Sequence, residues 1–162
     1  MKDAPPSVLN SARVLCYAVV GDLPYQQWGK LFVGGRIVGK VPHLAICLDL
    51  GRDIGPMLFH CDERWQVIAI SGAETVEAIK ARAEENYPGV SARWVDLNVS
   101  PEEALHHYDE QSGSLKCSFC GRRPFELEGL VEGICVAICR GCVEDFHRVF
   151  HEAQDTTNPT GS

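Results

Sequence analysis

Eight cysteines stand in 162 residues, and four of them are spaced to act together: Cys117-x2-Cys120-x18-Cys139-x2-Cys142. A Cys-x2-Cys pair presents two thiolates from one tight turn. Two such pairs complete a tetrahedron around a divalent ion at Zn–S distances of about 2.3 Å. Zinc is the cofactor this pattern implies, with Cys117, Cys120, Cys139 and Cys142 as its ligands. Four protein ligands close the coordination sphere, whereas a catalytic zinc keeps three and a water. The site is therefore expected to be structural, and no catalytic residue is assigned.

Other ligand sets fit less well. Cys135 stands four residues before Cys139, and His147-x3-His151 follows the second pair. A Cys117/Cys120/His147/His151 set would separate its halves by 26 residues, against about 12 in the common finger. The two histidines read as solvated helix residues. Gly34-Gly35-Arg36-Ile37-Val38-Gly39-Lys40 matches GxxxxGK, but Val41-Pro42 follows where a phosphate loop needs Ser or Thr and then a helix. It reads as a glycine-containing turn. Cys16, Cys47 and Cys61 sit in apolar strand contexts, with His43 and His60 in neighbouring strands. A cysteine nucleophile needs a base and an electropositive surrounding; the plainer reading is buried free thiols. His106-His107 reads as a solvated pair, and Trp28, Trp65 and Trp94 as core or rim aromatics.

The elements that must position these groups change period along the chain. Residues 1–13 are polar and Pro-containing, a loose arm. Arg13–Val20, Leu31–Ile37 and Val41–Leu50 read as strands. Pro56–Cys61 and Trp65–Ile70 read as a hairpin around Asp62-Glu63-Arg64. Val76, Ile79, Ala83 and Tyr87 fall at helical spacing until Pro88-Gly89. Val90, Ala92 and Trp94 alternate as in a strand. Ser100-Pro101-Glu102-Glu103 then opens a short helix with a capping box. Residues 13–110 are thus expected to form an α+β domain with antiparallel strands, and 109–116 a linker. A metal module spans 114–153, with a disordered tail after it. Gly121 suits the knuckle turn, strands fall near Leu130 and Val136, and Cys139 and Cys142 open a helix whose Val143, Phe146, Val149 and Phe150 share one face. That order is a treble clef.

Cys-Ser-Phe-Cys-Gly at 117–121, Leu130-Val131-x-Gly133 and Val136-x-Ile138-Cys139-x-x-Cys142-Val143 resemble the N-terminal zinc-binding domain of the protein unfoldase ClpX. The resemblance covers roughly 35 of the 162 residues. It implies a treble clef that dimerises and binds substrates or adaptor proteins, with Phe119, Leu130, Ile138 and Val143 as dimer or peptide-binding surface. Ile134 replaces the family's Pro, and Cys135 is an addition. Twenty residues follow Cys142 with no ATPase motif, so a role other than unfolding is expected. Leu58–Leu97 is loosely similar to small bacterial α+β proteins, some of which act as immunity or interaction proteins.

Charge narrows the partners. Net charge is −7. Residues 1–116 carry 11 basic and 15 acidic side chains, and the remainder 4 and 7. Neither part is basic, and four thiolates on one zinc add −2, so nucleic acid is not an expected partner. No apolar run approaches the ~18 residues of a membrane span. No secretory leader is visible at the N-terminus, so a reducing, cytoplasmic setting is expected. The reading that follows is a non-catalytic, adaptor-like protein whose zinc module forms a homodimer or docks onto a protein partner. The alternatives are a small hydrolase or transferase with its site in the α+β domain, and an immunity-type protein that blocks a toxin.

Residues 13–110 carry enough apolar strand sequence for their own core. A chain truncated at Gly113 is expected to unfold cooperatively in urea; an insoluble or molten product would place the boundary elsewhere.

Overall fold

The structure is a computed structural model and describes residues 4–27, 31–113 and 115–155. Trp28, Ser114, the first three residues and the C-terminal tail after Asp155 lie outside the described residues. The chain divides into two compact units, residues 1–111 and 112–162.

Six strands of the first unit form one antiparallel sheet: β1 (Val8–Leu9), β2 (Ala12–Val19), β5 (His43–Asp49), β6 (Pro56–Cys61), β7 (Val67–Gly72) and β8 (Val95–Asp96). The order is β1-β2-β5-β6-β7, and β8 pairs with β2 further along the edge that β1 occupies. Two helices accompany the sheet, α1 (Val76–Asn86) and α2 (Pro101–Gln111). Fold class is α+β with antiparallel pairing.

The sheet buries both faces, and one of its strands changes sides partway along. Val14 pairs with Cys47 and Cys16 with Ile46, so Leu15 is an extra residue, a β-bulge. Before it, Ala12 and Val14 face a cluster with Ala45, Cys47, Phe59, Cys61 and Trp65. After it, Cys16, Ala18 and Val20 face the opposite cluster with Leu44, Ile46, Leu58, Ile79, Ala83, Tyr87 and Val90. Strict alternation of period two would have kept all of them on one side.

Several elements differ from the sequence reading. Residues 8–9 are no arm: Val8 and Leu9 are buried and pair with Arg13 and Ala12 across a two-residue turn. Asn10 and Ser11 both have positive φ, 44° and 62°, the hand that a two-residue hairpin needs. Leu31–Ile37 is not one strand. Gly34 and Gly35, at φ 56° and 76°, split it into a hairpin of β3 (Phe32–Val33) and β4 (Arg36–Ile37). Trp65 belongs to a turn rather than to a strand. Asp62 Oδ1 accepts from the amides of Arg64 and Gln66, and Trp65 takes φ 63°. Such a conformation costs about 1–3 kcal/mol for a bulky residue. It lets the indole stack on His43 at 4.3 Å, edge-on to Tyr17, with 7% exposure. Burying an aromatic ring of about 200 Å² is worth about 5 kcal/mol, so packing wins.

Val90–Trp94 is not a strand either. The Glu84 carboxylate accepts from the amides of Gly89 and Ser91 at 2.7 and 2.8 Å and winds Val90–Arg93 into a 3-10 turn. The same bonds hold the Glu84 carboxyl below its ordinary pKa. Residues 109–111, read as linker, extend α2 to Gln111. Its start carries the capping box: Glu103 accepts from the Ser100 amide, and Ser100 from the Glu103 amide.

His60 is 9% exposed on β6, with Nε2 3.3 Å from Ser71 Oγ. Burial pushes its pKa down to about 4. Its neutral form is therefore favoured by folding, and the unfolded chain binds the proton between pH 6.5 and 4. Stability should fall as pH drops through that window, by up to about 3 kcal/mol from this group. Urea unfolding at pH 7 and pH 4.5 should show a smaller loss for His60→Gln than for the native chain.

Candidate metal centre

The second unit builds a knuckle, a hairpin and a helix around four sulfurs. The hairpin is β9 (Leu130–Gly133) paired with β10 (Val136–Cys139), and the helix is α3 (Arg140–Asp155). Cys117 and Cys120 flank the knuckle, which Gly121 closes at φ 72° with its amide on the Cys117 carbonyl. Cys139 ends β10, and Cys142 lies in the first turn of α3. Helix and strand thus deliver one thiol each, and the knuckle delivers two.

The four Sγ atoms lie within 4.8 Å of one another. Cys117 Sγ is 3.8 Å from Cys142 Sγ, and Cys120 Sγ 3.7 Å from Cys139 Sγ. A tetrahedron with Zn–S of about 2.3 Å has an edge of about 3.8 Å. Two of the six edges stand at that length and the rest fall within 4.8 Å, an arrangement that suits one zinc ion, without a disulfide. Cys117 and Cys139 are almost wholly buried, Cys142 is 9% exposed, and Cys120 is open to solvent.

Backbone amides prepare the thiolates. The Cys139 amide points at Cys117 Sγ at 3.4 Å, and the Cys142 amide at Cys139 Sγ at 3.5 Å. The amides of Cys120, Phe119 and Cys139 lower the Cys117 pKa to about 6. The amide of Arg122, then its guanidinium, hold Cys120 below its ordinary value. Cys142 is pushed up to about 12, by burial first and then by the crowding of the other thiols. A divalent cation supplies the positive charge that this cluster lacks.

Two residues outside the cysteine pattern matter to this geometry. The Ser118 amide donates to the Ala137 carbonyl at 2.8 Å, and Ser118 Oγ accepts from the Ala137 amide at 3.0 Å. This reciprocal pair fastens the knuckle to β10. Arg122 is the cation beside the sulfurs, closest to Cys120. Ser118 falls inside the Cys-Ser-Phe-Cys-Gly stretch only as a spacer, and the one signal for Arg122 is its place just after the knuckle glycine.

The other sequence candidates lie elsewhere. Cys135 forms the tip of the β9–β10 hairpin with φ 60° and is exposed, outside the thiol cluster. His147 and His151 lie on α3, also outside it. Gly34 and Gly35 turn a hairpin, and Lys40 Nζ donates to the Leu23 carbonyl at 2.7 Å, so no phosphate loop forms. Cys47 and Cys61 are fully buried and Cys16 nearly so. Burial raises Cys16 to about 11, Cys61 to about 12 and Cys47 well above its ordinary value. His43 Nδ1 meets the Asp62 carbonyl at 2.8 Å and His60 Nε2 meets Ser71 Oγ, so both of these ring nitrogens bond to oxygen and not to a thiol. Thiols held protonated in this way are poor nucleophiles. Trp65 and Trp94 pack against the sheet, and Lys80 Nζ stands over the Trp94 ring.

Knuckle, hairpin and helix converging on four thiols define a treble-clef zinc module. Residues 115–152 match the family description of the ClpX C4-type zinc finger. Four cysteines in this arrangement are consistent with zinc as the ion held. No solved structure matches the chain. Among the described residues no helix is long and apolar enough to cross a membrane.

Metal analysis of the purified chain should find about one zinc per molecule. Cys117→Ser and Cys142→Ser should each lose it and unfold the second unit, because metal-binding energy of about 10–16 kcal/mol is what folds so small a module. Zinc retained in both variants would assign the ligands elsewhere.

Proposed function

We propose that the chain is a non-catalytic, adaptor-like protein whose zinc module pairs two copies. One observation carries this reading: the module turns its apolar side chains outward. Its buried centre is three thiols, with Leu127, Leu130 and Ile138 packed around them. Outside stand Phe119 at 54% exposure, Val131 at 70%, Ile134 at 97% and Phe150 at 71%, with Val136, Val143, Phe146 and Val149 near half.

On α3 the apolar residues recur at Val143, Phe146, Val149 and Phe150, a stripe at helical spacing. Phe146 meets Phe119 of the knuckle edge-on at 5.1 Å, which makes stripe and knuckle continuous. A contiguous apolar surface on so small a unit marks an interface. A self-complementary pairing of two identical stripes is the commonest solution, and acidic neighbours disfavour a polyanion. The resemblance to the ClpX zinc-binding domain independently implies pairing. Of the residues that the resemblance offered as surface, Phe119 and Val143 are exposed, whereas Leu130 and Ile138 cover the sulfurs.

Pairing through the module would leave the first unit of each copy to recognise a partner, with two copies presented together. The thiols of that unit lack the environment of a nucleophile, which weighs against a cysteine-based hydrolase or transferase.

Light scattering on the zinc-loaded full chain should give twice the 17.8 kDa monomer mass. Phe150→Glu and Val131→Glu, both at exposed positions, should give the monomer with zinc retained. A native chain that stays monomeric up to its solubility limit would overturn the pairing.

A further inference from the structure

His147 and His151 lie one turn apart on the exposed side of α3, and their Nε2 atoms converge to 3.0 Å. Their ring centroids are 4.2 Å apart. Proximity alone does not produce this. His106 and His107 are nearer in sequence, yet their rings sit 6.3 Å apart. His106 Nε2 turns to Glu110 at 3.4 Å, and His107 Nδ1 to Ser7 Oγ. Residues four apart on a helix share one face, with Cβ atoms about 5–6 Å from each other. Two imidazoles there can aim both Nε2 lone pairs at one point.

The spacing also bears on which metal the pair would hold. Two nitrogens 3.0 Å apart, each about 2.05 Å from an ion, subtend about 94° at it. That is close to the right angle between neighbouring ligands in octahedral or square-planar coordination, and well short of the roughly 109° of a tetrahedron. We propose that His147 and His151 form a second metal site, a two-imidazole chelate for a divalent ion of the nickel and copper class. It is separate from the four-thiol centre in both position and donor chemistry. Four thiolates make the softer site, which suits zinc, whereas imidazole suits nickel and copper as well as zinc.

Of the described carboxylates nearby, Glu144 pairs with Arg140 at 2.7 Å and Asp145 with Arg148 at 2.8 Å. Water completes the coordination sphere around the two imidazoles. An open site of two protein ligands exchanges its ion, unlike the closed four-thiol centre. In the metal-free pair one Nε2–H donates to the other Nε2. On loading, that proton moves to Nδ1 of its own ring, both Nε2 lone pairs go to the ion, and no electron changes hands.

Nickel is the probe, because copper(II) would also oxidise the free thiols. Titration calorimetry of Ni²⁺ into the untagged, zinc-loaded full chain should show one ion per chain. His147→Ala and His151→Ala should each weaken it about a hundredfold, the advantage that linking two ligands confers. His106→Ala should leave it unchanged, and zinc content should stay constant throughout. The proposal is overturned by no nickel uptake in the native chain, by equal uptake in the two α3 variants, or by release of one zinc for each nickel bound.

Discussion

Four sulfur atoms have to stand at the corners of a tetrahedron with edges near 3.8 Å, and the whole second unit is arranged to meet that requirement. Among the described residues, the knuckle, the end of β10 and the first turn of α3 have no apolar cluster between them beyond the side chains that wall in the sulfurs. A domain of this size has too little surface to bury for hydrophobic collapse to hold it. Coordination takes the place of a core. The secondary structure is then a means of aiming thiols: a turn that needs Gly121, a short ladder that fixes Cys139, and a helix start that fixes Cys142.

Releasing the side chains of α3 and the hairpin from core duty has a second effect. In an ordinary small domain Phe146, Phe150 and Val131 would be spent on stability. Here they remain outside, and α3 carries two surfaces, an apolar stripe and a histidine-bearing edge beside it. Electrostatics follow from the same arrangement. Four thiolates around one divalent ion leave two negative charges, and the chain is already acidic. Arg122 is the local counter-charge, set against Cys120, the most exposed of the four sulfurs.

The sequence showed what depends on local chemistry. Cysteine spacing announced the thiol cluster, and Ser100 with Glu103 announced the start of α2. The apolar residues at 76, 79 and 83 announced α1. It concealed what distant groups impose. Residues 90–94 alternate like a strand, yet Glu84 captures the amides of Gly89 and Ser91. Asn10-Ser11 lacks the glycine that usually flags a two-residue turn, so the pairing of Val8 and Leu9 went unseen. Arg122 carries no motif and Ser118 stands in one only as a spacer between cysteines, because their roles exist only once the knuckle has folded onto β10.

The bulge at Leu15 has a consequence for how the first unit comes apart. Because β2 changes sides partway along, one continuous strand is woven into both apolar layers, like a thread passing from the front of a cloth to the back. Neither layer can loosen while the other stays intact, since pulling β2 from one drags it across the other. The two clusters should therefore melt as a single cooperative body. An insertion or deletion of one residue in this strand would exchange the inward and outward side chains beyond it, whereas most single substitutions at Leu15 itself would leave the weave in place.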